Sequence, residues 1–193
     1  MALTIKPTKP DETIARYVAR RTDSRTEMVA RALTWGADEK LLLLLAGVAW
    51  VATRKMEQSL KRGGNHALLV TVVASLLPHG IKLAFNQTRP DRLTVLGHVH
   101  GISFSGKRDD AFPSGHALHM GALASAASAM PPGPRRTAYA IAIGLSLTRI
   151  IVLAHWASDV VAGFALGAAL ERMLRLWTGY HSTKSCNRDR DRK

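Results

Sequence analysis

The sequence predicts an all-α integral membrane helical bundle of about five transmembrane helices, preceded by an N-terminal amphipathic helix. Three observations carry that expectation. Apolar runs recur through the 193 residues, several close to the roughly 20 residues a helix needs to cross the hydrocarbon core. The stretches 67–81 and 137–147 have no polar outer face, which a helix in a soluble bundle would keep. Charges gather instead in the connections and termini, and they hold the mean hydropathy near zero.

The elements follow in order. Pro7 and Pro10 predict an irregular start. Asp11 to Leu33 is polar, with Ile14, Tyr17, Val18, Met28, Val29 and Leu33 spaced through it, and reads as a helix lying on the membrane surface. Residues 1–35 are thus expected to form an interfacial segment, with no apolar run early enough for a cleaved signal peptide. The first span, LLLLLAGVAWVAT from Leu41 to Thr53, covers about 20 Å of a hydrocarbon core about 30 Å thick. It must borrow residues from the preceding ALTWGADEK or thin the bilayer. Arg54 to His66 is a basic connector with Gly63-Gly64 as breaker.

Ala67 to Phe85 is the second span, followed by the longest and most polar connection, Asn86 to Ala111. Phe112 to Met130, the third, has no Lys, Arg, Asp or Glu. Pro131-Pro132-Gly133-Pro134 turns the chain into the fourth, Thr137 to Leu153, whose single charge is Arg149. The fifth runs from Trp156 to Leu170 with Asp159 as its only charge, and the apolar pattern continues to Trp177. Gly163 and Gly167 stand at the GxxxG spacing that lets helices approach closely in lipid. Residues 179–193 form a charged tail. No repeat divides the chain, so 1–193 reads as a single membrane-embedded domain.

Composition excludes two classes. The formal charge of +13 would suit nucleic acid, but the basic residues flank apolar runs instead of forming a stripe with interleaved aromatics. One cysteine, Cys186, excludes an intramolecular disulfide. Five crossings put 13 Lys and Arg on one side and 12 on the other, so charge asymmetry assigns no orientation. Nothing in the sequence indicates an oligomeric state.

Ionisable residues inside spans are costly, and each marks a functional hypothesis. They are Lys82, His116, His119, Arg149, His155 and Asp159, with Arg89 just past its span. Alternating helix directions bring all of them to one side of the membrane. Lys82 and Arg89, seven apart, are close to two helical turns and face the same way. His155 and Asp159, four apart, allow the carboxylate to hold one imidazole nitrogen. In FPSGHALH, Pro113 suits a first helical turn. Ser114 and Gly115 then leave backbone N–H groups open at the positive end of the helix dipole, a natural anion site.

Blander accounts stand beside these. Lys82 and Arg89 could be snorkelling anchors. His155 and Asp159 could form a structural hydrogen bond. His98 and His100 resemble a metal pair, or lie in a solvated loop. His119, one turn from His116, could be a metal ligand, a supporting partner or a packed neutral imidazole.

KLAFNQTRP (Lys82 to Pro90), PSGH (Pro113 to His116) and TRIIVLAHWASD (Thr148 to Asp159) together resemble the three signature motifs of the type 2 phosphatidic acid phosphatase superfamily. Order and internal spacing match; Thr148 replaces the usual Ser and keeps the hydroxyl. The resemblance implies that His155 is the nucleophile on phosphorus, oriented by Asp159, and that His116 protonates the leaving oxygen and later activates water. Lys82, Arg89, Ser114, Gly115 and Arg149 would hold the phosphoryl oxygens. No metal or other cofactor is implied, since three cations supply the charge. Members usually have six spans, and the resemblance would place the first at the surface segment 11–34.

The function this implies is metal-independent dephosphorylation of a lipid phosphate or diphosphate, phospholipid or isoprenyl, through a phosphohistidine. Phosphorylated lipid A is a further candidate, and the expected partners are that lipid and its membrane, with no nucleic acid. By analogy with bacterial relatives, the site would face the periplasm or exterior of the inner (cell) membrane. Two alternatives remain. A metallohydrolase using His116, His119, His155 and Asp159 would lose activity in chelator, and a non-catalytic protein would bind anionic lipid head groups without releasing phosphate.

Overall fold

The computed structural model describes residues 3–93 and 109–180. His98, His100, Cys186 and nearly all of the charged tail lie outside the described residues. The chain is helical throughout apart from one two-residue strand pair. The N-terminal segment forms two helices, not one. Helix α1, Lys9–Arg21, opens with a capping box in which the Asp11 amide donates to Thr8 Oγ1 and the Thr8 amide to Asp11 Oδ2, and Pro10 fits its first turn. Helix α2, Ser24–Thr34, starts because Asp23 accepts from the Thr26 amide at 2.8 Å. That cap is what interrupts the single surface helix expected over 11–33.

One face of α1 packs on the bundle, while Ile14 and Tyr17 remain exposed. Ala15, Val18 and Ala19 pack on Ala111, Leu153 and Trp156 of the bundle. Before α1, strand β1 (Leu3–Thr4) pairs in parallel with β2 (Phe85–Asn86).

Helix α3, Glu39–Ala52, is capped by Asp38, and α4, Gln58–Ala84, runs antiparallel to it through a short turn. The Gly63-Gly64 pair expected to break the chain lies inside α4. A Cβ on Gly64 would strike the Thr53 hydroxyl and approach the Trp50 backbone, so this glycine permits the close α3–α4 crossing. After β2 comes the short helix α5, Pro90–Leu93. Helix α6, Gly115–Ala127, is the centre of the fold, with α8 (Ala157–Thr178) as its most extensive neighbour and α7 (Pro132–Ile151) and α4 around it. Gly121, Gly163 and Gly167 make the α6–α8 contact possible. At each of them a Cβ would run into the facing helix's backbone, which gives the GxxxG spacing a packing role.

The five-span count expected from hydropathy is not confirmed. Among the described residues one helix, α4, is long and apolar enough to cross a membrane. Helices α3 and α6, with 14 and 13 residues, reach only about 20 Å. Helix α7 carries Arg135, Arg136 and Arg149, and α8 carries Asp159, Glu171, Arg172 and Arg175. The outer faces remain apolar, with Leu44, Val48, Leu76, Ile143, Leu147 and Val161 exposed, while Ser75, Ser125, Ser146 and Glu171 are buried.

The buried polar groups form a network at the end of the bundle formed by the C-termini of α6 and α8. Glu171, with no solvent exposure, accepts from Ser125 Oγ at 2.5 Å and from Arg175 Nε and Nη2 at 2.9 and 2.8 Å, and lies 2.9 Å from His66 Nε2. His66 also meets Thr178 Oγ1 at 2.7 Å and stacks on Tyr180.

Candidate functional site

At the opposite end, several chain segments, the stretch from Arg31 to Lys40 among them, converge on a cavity of about 880 Å³. Lys82 reaches it from the end of α4, Arg89 from the turn before α5, Gly115 and His116 from the start of α6, and Arg149 and His155 from the end of α7 and the turn after it. The gathering expected from alternating helix directions is shown for Lys82, Arg89, His116, His119, Arg149 and His155, whereas Asp159 and Ser114 do not line the cavity, and two of the expected pairings differ.

The first concerns Lys82 and Arg89. They do not share a helix face, because α4 stops at Ala84 and the chain becomes extended in β2. A carboxylate brings them together instead. Asp110 Oδ1 accepts from Arg89 Nε and Nη2 at 2.9 and 2.8 Å, and its Oδ2 lies 3.5 Å from Lys82 Nζ. A second arginine contact, from Arg89 Nη1 to the Ala154 carbonyl at 3.2 Å, ties this cation to the turn holding His155.

The second concerns His155. Its Nδ1 donates to the carbonyl of Ala111 at 2.6 Å, whereas Asp159 Oδ2 stands 4.0 Å away. The imidazole nitrogen expected to be held by the carboxylate is held by a backbone carbonyl. Asp159 Oδ2 accepts from the Trp156 amide at 2.9 Å and so fixes the turn. Because a carbonyl only accepts, Nδ1 carries the proton and Nε2 keeps its lone pair, the tautomer a nucleophile requires.

The turn itself is strained. Leu153, a non-glycine residue, has φ 51 in the left-handed region, at a cost of about 1–2 kcal/mol. It is buried against Ala15, Ala111 and Trp156, and its carbonyl accepts from the Asp91 amide at 3.0 Å. The amides of Ala154 and His155 return to the Arg149 carbonyl at 3.1 and 3.3 Å, so Arg149 and His155 are joined through backbone.

The start of α6 is built differently from expectation. Pro113 precedes the cap, Ser114 is the N-cap, and its Oγ accepts from the Ala117 amide at 3.4 Å. Ser114 is fully buried and its own amide donates to the Asp159 carbonyl at 3.3 Å. The hydroxyl that the resemblance assigns to the phosphate accepts this cap bond and keeps its own O–H as a donor. The backbone groups left for an anion are the Gly115 and His116 amides, which have no intrahelical acceptor.

Arg149 is 2% exposed, its Nη1 is 3.5 Å from Thr34 Oγ1, and its Nε has no partner among the described residues. His119 lines the cavity behind His116, with Nε2 3.4 Å from Ser75 Oγ. Among the described residues no group of three or more His, Cys, Asp or Glu is arranged to hold a metal ion. Motif reasoning missed Asp110, Thr34, His79 and the Ala111 carbonyl. The acidic pair Asp109-Asp110, set just before the FPSGH stretch, was the one signal for the first.

Residues 64–182 match the family model described as the PAP2 superfamily. The chain is 38% identical over 106 residues to a lipid A 1-phosphatase of Rhizobium johnstonii, a match covering 54% of this chain and 43% of that protein. It is 37% identical over 105 residues to a lipid A 1-phosphatase of Rhizobium etli, covering 54% and 45%. The matched region thus spans less than half the length of these curated relatives. LpxE of Aquifex aeolicus shares the fold with TM-score 0.70 at 18% identity, over 89% of this chain and 98% of that one. A transmembrane PAP2 type phosphatidylglycerolphosphate phosphatase from Bacillus subtilis shares it with TM-score 0.67 at 20% identity, over 87% and 84%.

Proposed function

The chain belongs to the PAP2 superfamily, and on that premise we propose that it is an integral membrane hydrolase that removes phosphate from a membrane lipid through a phosphohistidine on His155. The observation that carries this is the convergence of Lys82, Arg89 and Arg149 with His116 and His155 on one cavity. Three cations and two helix-start amides suit the phosphoryl oxygens, and preorganised donors of this kind stabilise the charge of the transition state.

In the proposed reaction His155 Nε2 forms a bond to phosphorus as the ester P–O bond breaks. His116 gives its proton to the leaving oxygen, then takes one from the water that attacks the phosphohistidine. Inorganic phosphate leaves and His155 is restored. The Ala111 carbonyl supports the tautomer, Asp159 supports the turn, and Ser114 acts by capping the helix whose amides meet the phosphate. The cations take the place a metal would fill.

The apolar exterior and polar interior of the bundle support burial in a bilayer, with the cavity end at the periplasmic or outer face of a bacterial inner membrane. The curated relatives' names move phosphorylated lipid A to the head of the substrate panel, ahead of phospholipid phosphates and isoprenyl diphosphate.

The test is inorganic phosphate release by purified protein in detergent, with chelator present, across that panel and beside His155→Ala. Release by wild type, reduced by more than about 1,000-fold in His155→Ala, is the expected result. Undiminished release by the variant refutes the mechanism. Activity lost to chelator turns the reading to a metallohydrolase, and head-group binding without release turns it to a lipid-binding protein.

A further inference from the structure

We propose that Asp11, from the N-terminal helix, is a positioning residue that holds the turn carrying His155 in its reactive geometry. The inference rests on the proposed role of His155. Residues 1–63 lie outside the family match, yet this segment touches the first and the third motif regions. Strand β1 pairs with Phe85–Asn86, between Lys82 and Arg89. Thr34 Oγ1 lies 2.8 Å from Thr148 Oγ1 and 3.5 Å from Arg149 Nη1. Asp11 makes the third and strongest connection.

The Asp11 carboxylate is 3% exposed. Its Oδ1 accepts from the Ser158 amide at 2.9 Å and its Oδ2 from the Ser158 hydroxyl at 2.8 Å. Oδ2 also accepts from the Thr8 amide and hydroxyl at 3.0 and 2.7 Å, which fixes the carboxylate on α1. Helix α8 needs this partner. Its N-cap position is held by Trp156, whose indole has no acceptor and instead donates Nε1–H to the Thr88 carbonyl at 2.8 Å. The amides of a first turn otherwise go unsatisfied. Asp11 supplies the missing acceptor from 147 residues away, and its negative charge lies at the positive end of the α8 dipole.

Ser158 stands between His155 and Asp159, so what fixes it fixes both. The neighbouring contact acts in the same direction. Ala15, one turn after Asp11, packs on Leu153 and Trp156, and a strained residue such as Leu153 persists only where its surroundings hold it. Asp11 and Ala15 therefore clamp the two ends of the segment 153–158 from one helix face.

The test compares kcat and KM for phosphate release by wild type, Asp11→Ala, Asp11→Asn, Ser158→Ala and Asp23→Ala, all shown to be folded. Asp23 caps α2 without touching the turn, so its variant reports on loosening of the segment alone. Asp11→Ala is expected to lose about 10- to 100-fold in kcat, as misplacement of a reacting group does, with KM within about twofold. Asp11→Asn, which keeps one acceptor, recovers part of the loss; Ser158→Ala loses less than Asp11→Ala; Asp23→Ala keeps wild-type kcat.

Wild-type kcat in Asp11→Ala overturns the proposal, as does an equal loss in Asp23→Ala. If Asp11→Ala does not fold, wild-type kcat in both Asp11→Asn and Ser158→Ala overturns it. Wild type and His155→Ala on the same substrate separate this failure from failure of the phosphatase reading itself.

Discussion

Gly163 offers the sharpest test of how the site depends on helix packing. A Cβ on this residue would lie 2.5 Å from the Ser114 carbonyl oxygen and 3.3 Å from its carbon. Both are backbone atoms and have no rotamer to escape into. Ordinary contact begins at 3.4 Å, so the starts of α6 and α8 must part by about 0.9 Å. The Ser114 amide already reaches the Asp159 carbonyl at 3.3 Å, and a further separation of about 0.9 Å would break that bond. The Gly115 and His116 amides would then move away from His155 by a similar amount.

Gly163→Ala should therefore lower kcat by about 10- to 100-fold and cost about 1–3 kcal/mol of stability through overpacking. The assay is phosphate release by protein shown to be folded, with a thermal melt of each variant. Gly144→Ala, where a Cβ meets nothing within 4 Å, is the control and should retain wild-type kcat. A Gly163→Ala enzyme within about twofold of wild type would refute the reasoning, because misplacement on the scale of an ångström should cost far more.

Two further outcomes follow from charged groups away from the cavity. Glu171→Ala removes the acceptor shared by His66, Ser125 and Arg175, and breaking a buried pair costs about 3–5 kcal/mol. At about 2–4 °C per kcal/mol for a chain of this size the thermal midpoint should fall by roughly 10 °C. Since Glu171 is about 18 Å along α8 from Asp159, kcat of the folded variant should stay at the wild-type value, and a large fall in it would contradict this separation. Asp11 predicts a pH dependence. Burial pushes its carboxyl up, but hydrogen bonds from the Ser158 amide, from Thr8 and from the Ser158 hydroxyl outweigh that and hold it below the usual carboxylate range. A depressed folded value means the stabilisation is present above about pH 4 and lost as pH falls further. The gap in thermal midpoint between wild type and Asp11→Asn should close on acidification, and a constant gap would refute the linkage.

The sequence by itself determined the helical class, the family and the identity of the cations and histidines that meet at the cavity. These were legible because motif spacing and hydropathy are local properties. Lys82, Arg89, His116, Arg149 and His155 each sit at or near the end of an apolar run, and alternating directions then leave them one side on which to gather. Gly163 and Gly167 likewise announced a close helix contact.

Tertiary structure decided which partner each of those groups takes. His155 bonds to a carbonyl 44 residues earlier instead of the carboxylate one turn away, because the chain before α6 passes beside the α7–α8 turn. Asp110, not helical phase, joins Lys82 to Arg89. Ser114 turns inward to cap its own helix, and the N-terminal segment packs Ala15, Val18 and Ala19 on the turn before His155 while Ile14, Tyr17, Met28, Val29 and Leu33 stay exposed. The Glu171 network pairs residues up to 112 positions apart. The span count rests on hydropathy, which records what a segment contains, whereas the short α6 is apolar where other helices surround it. A contact between distant residues depends on how helices are stacked, and no periodicity within either segment encodes that.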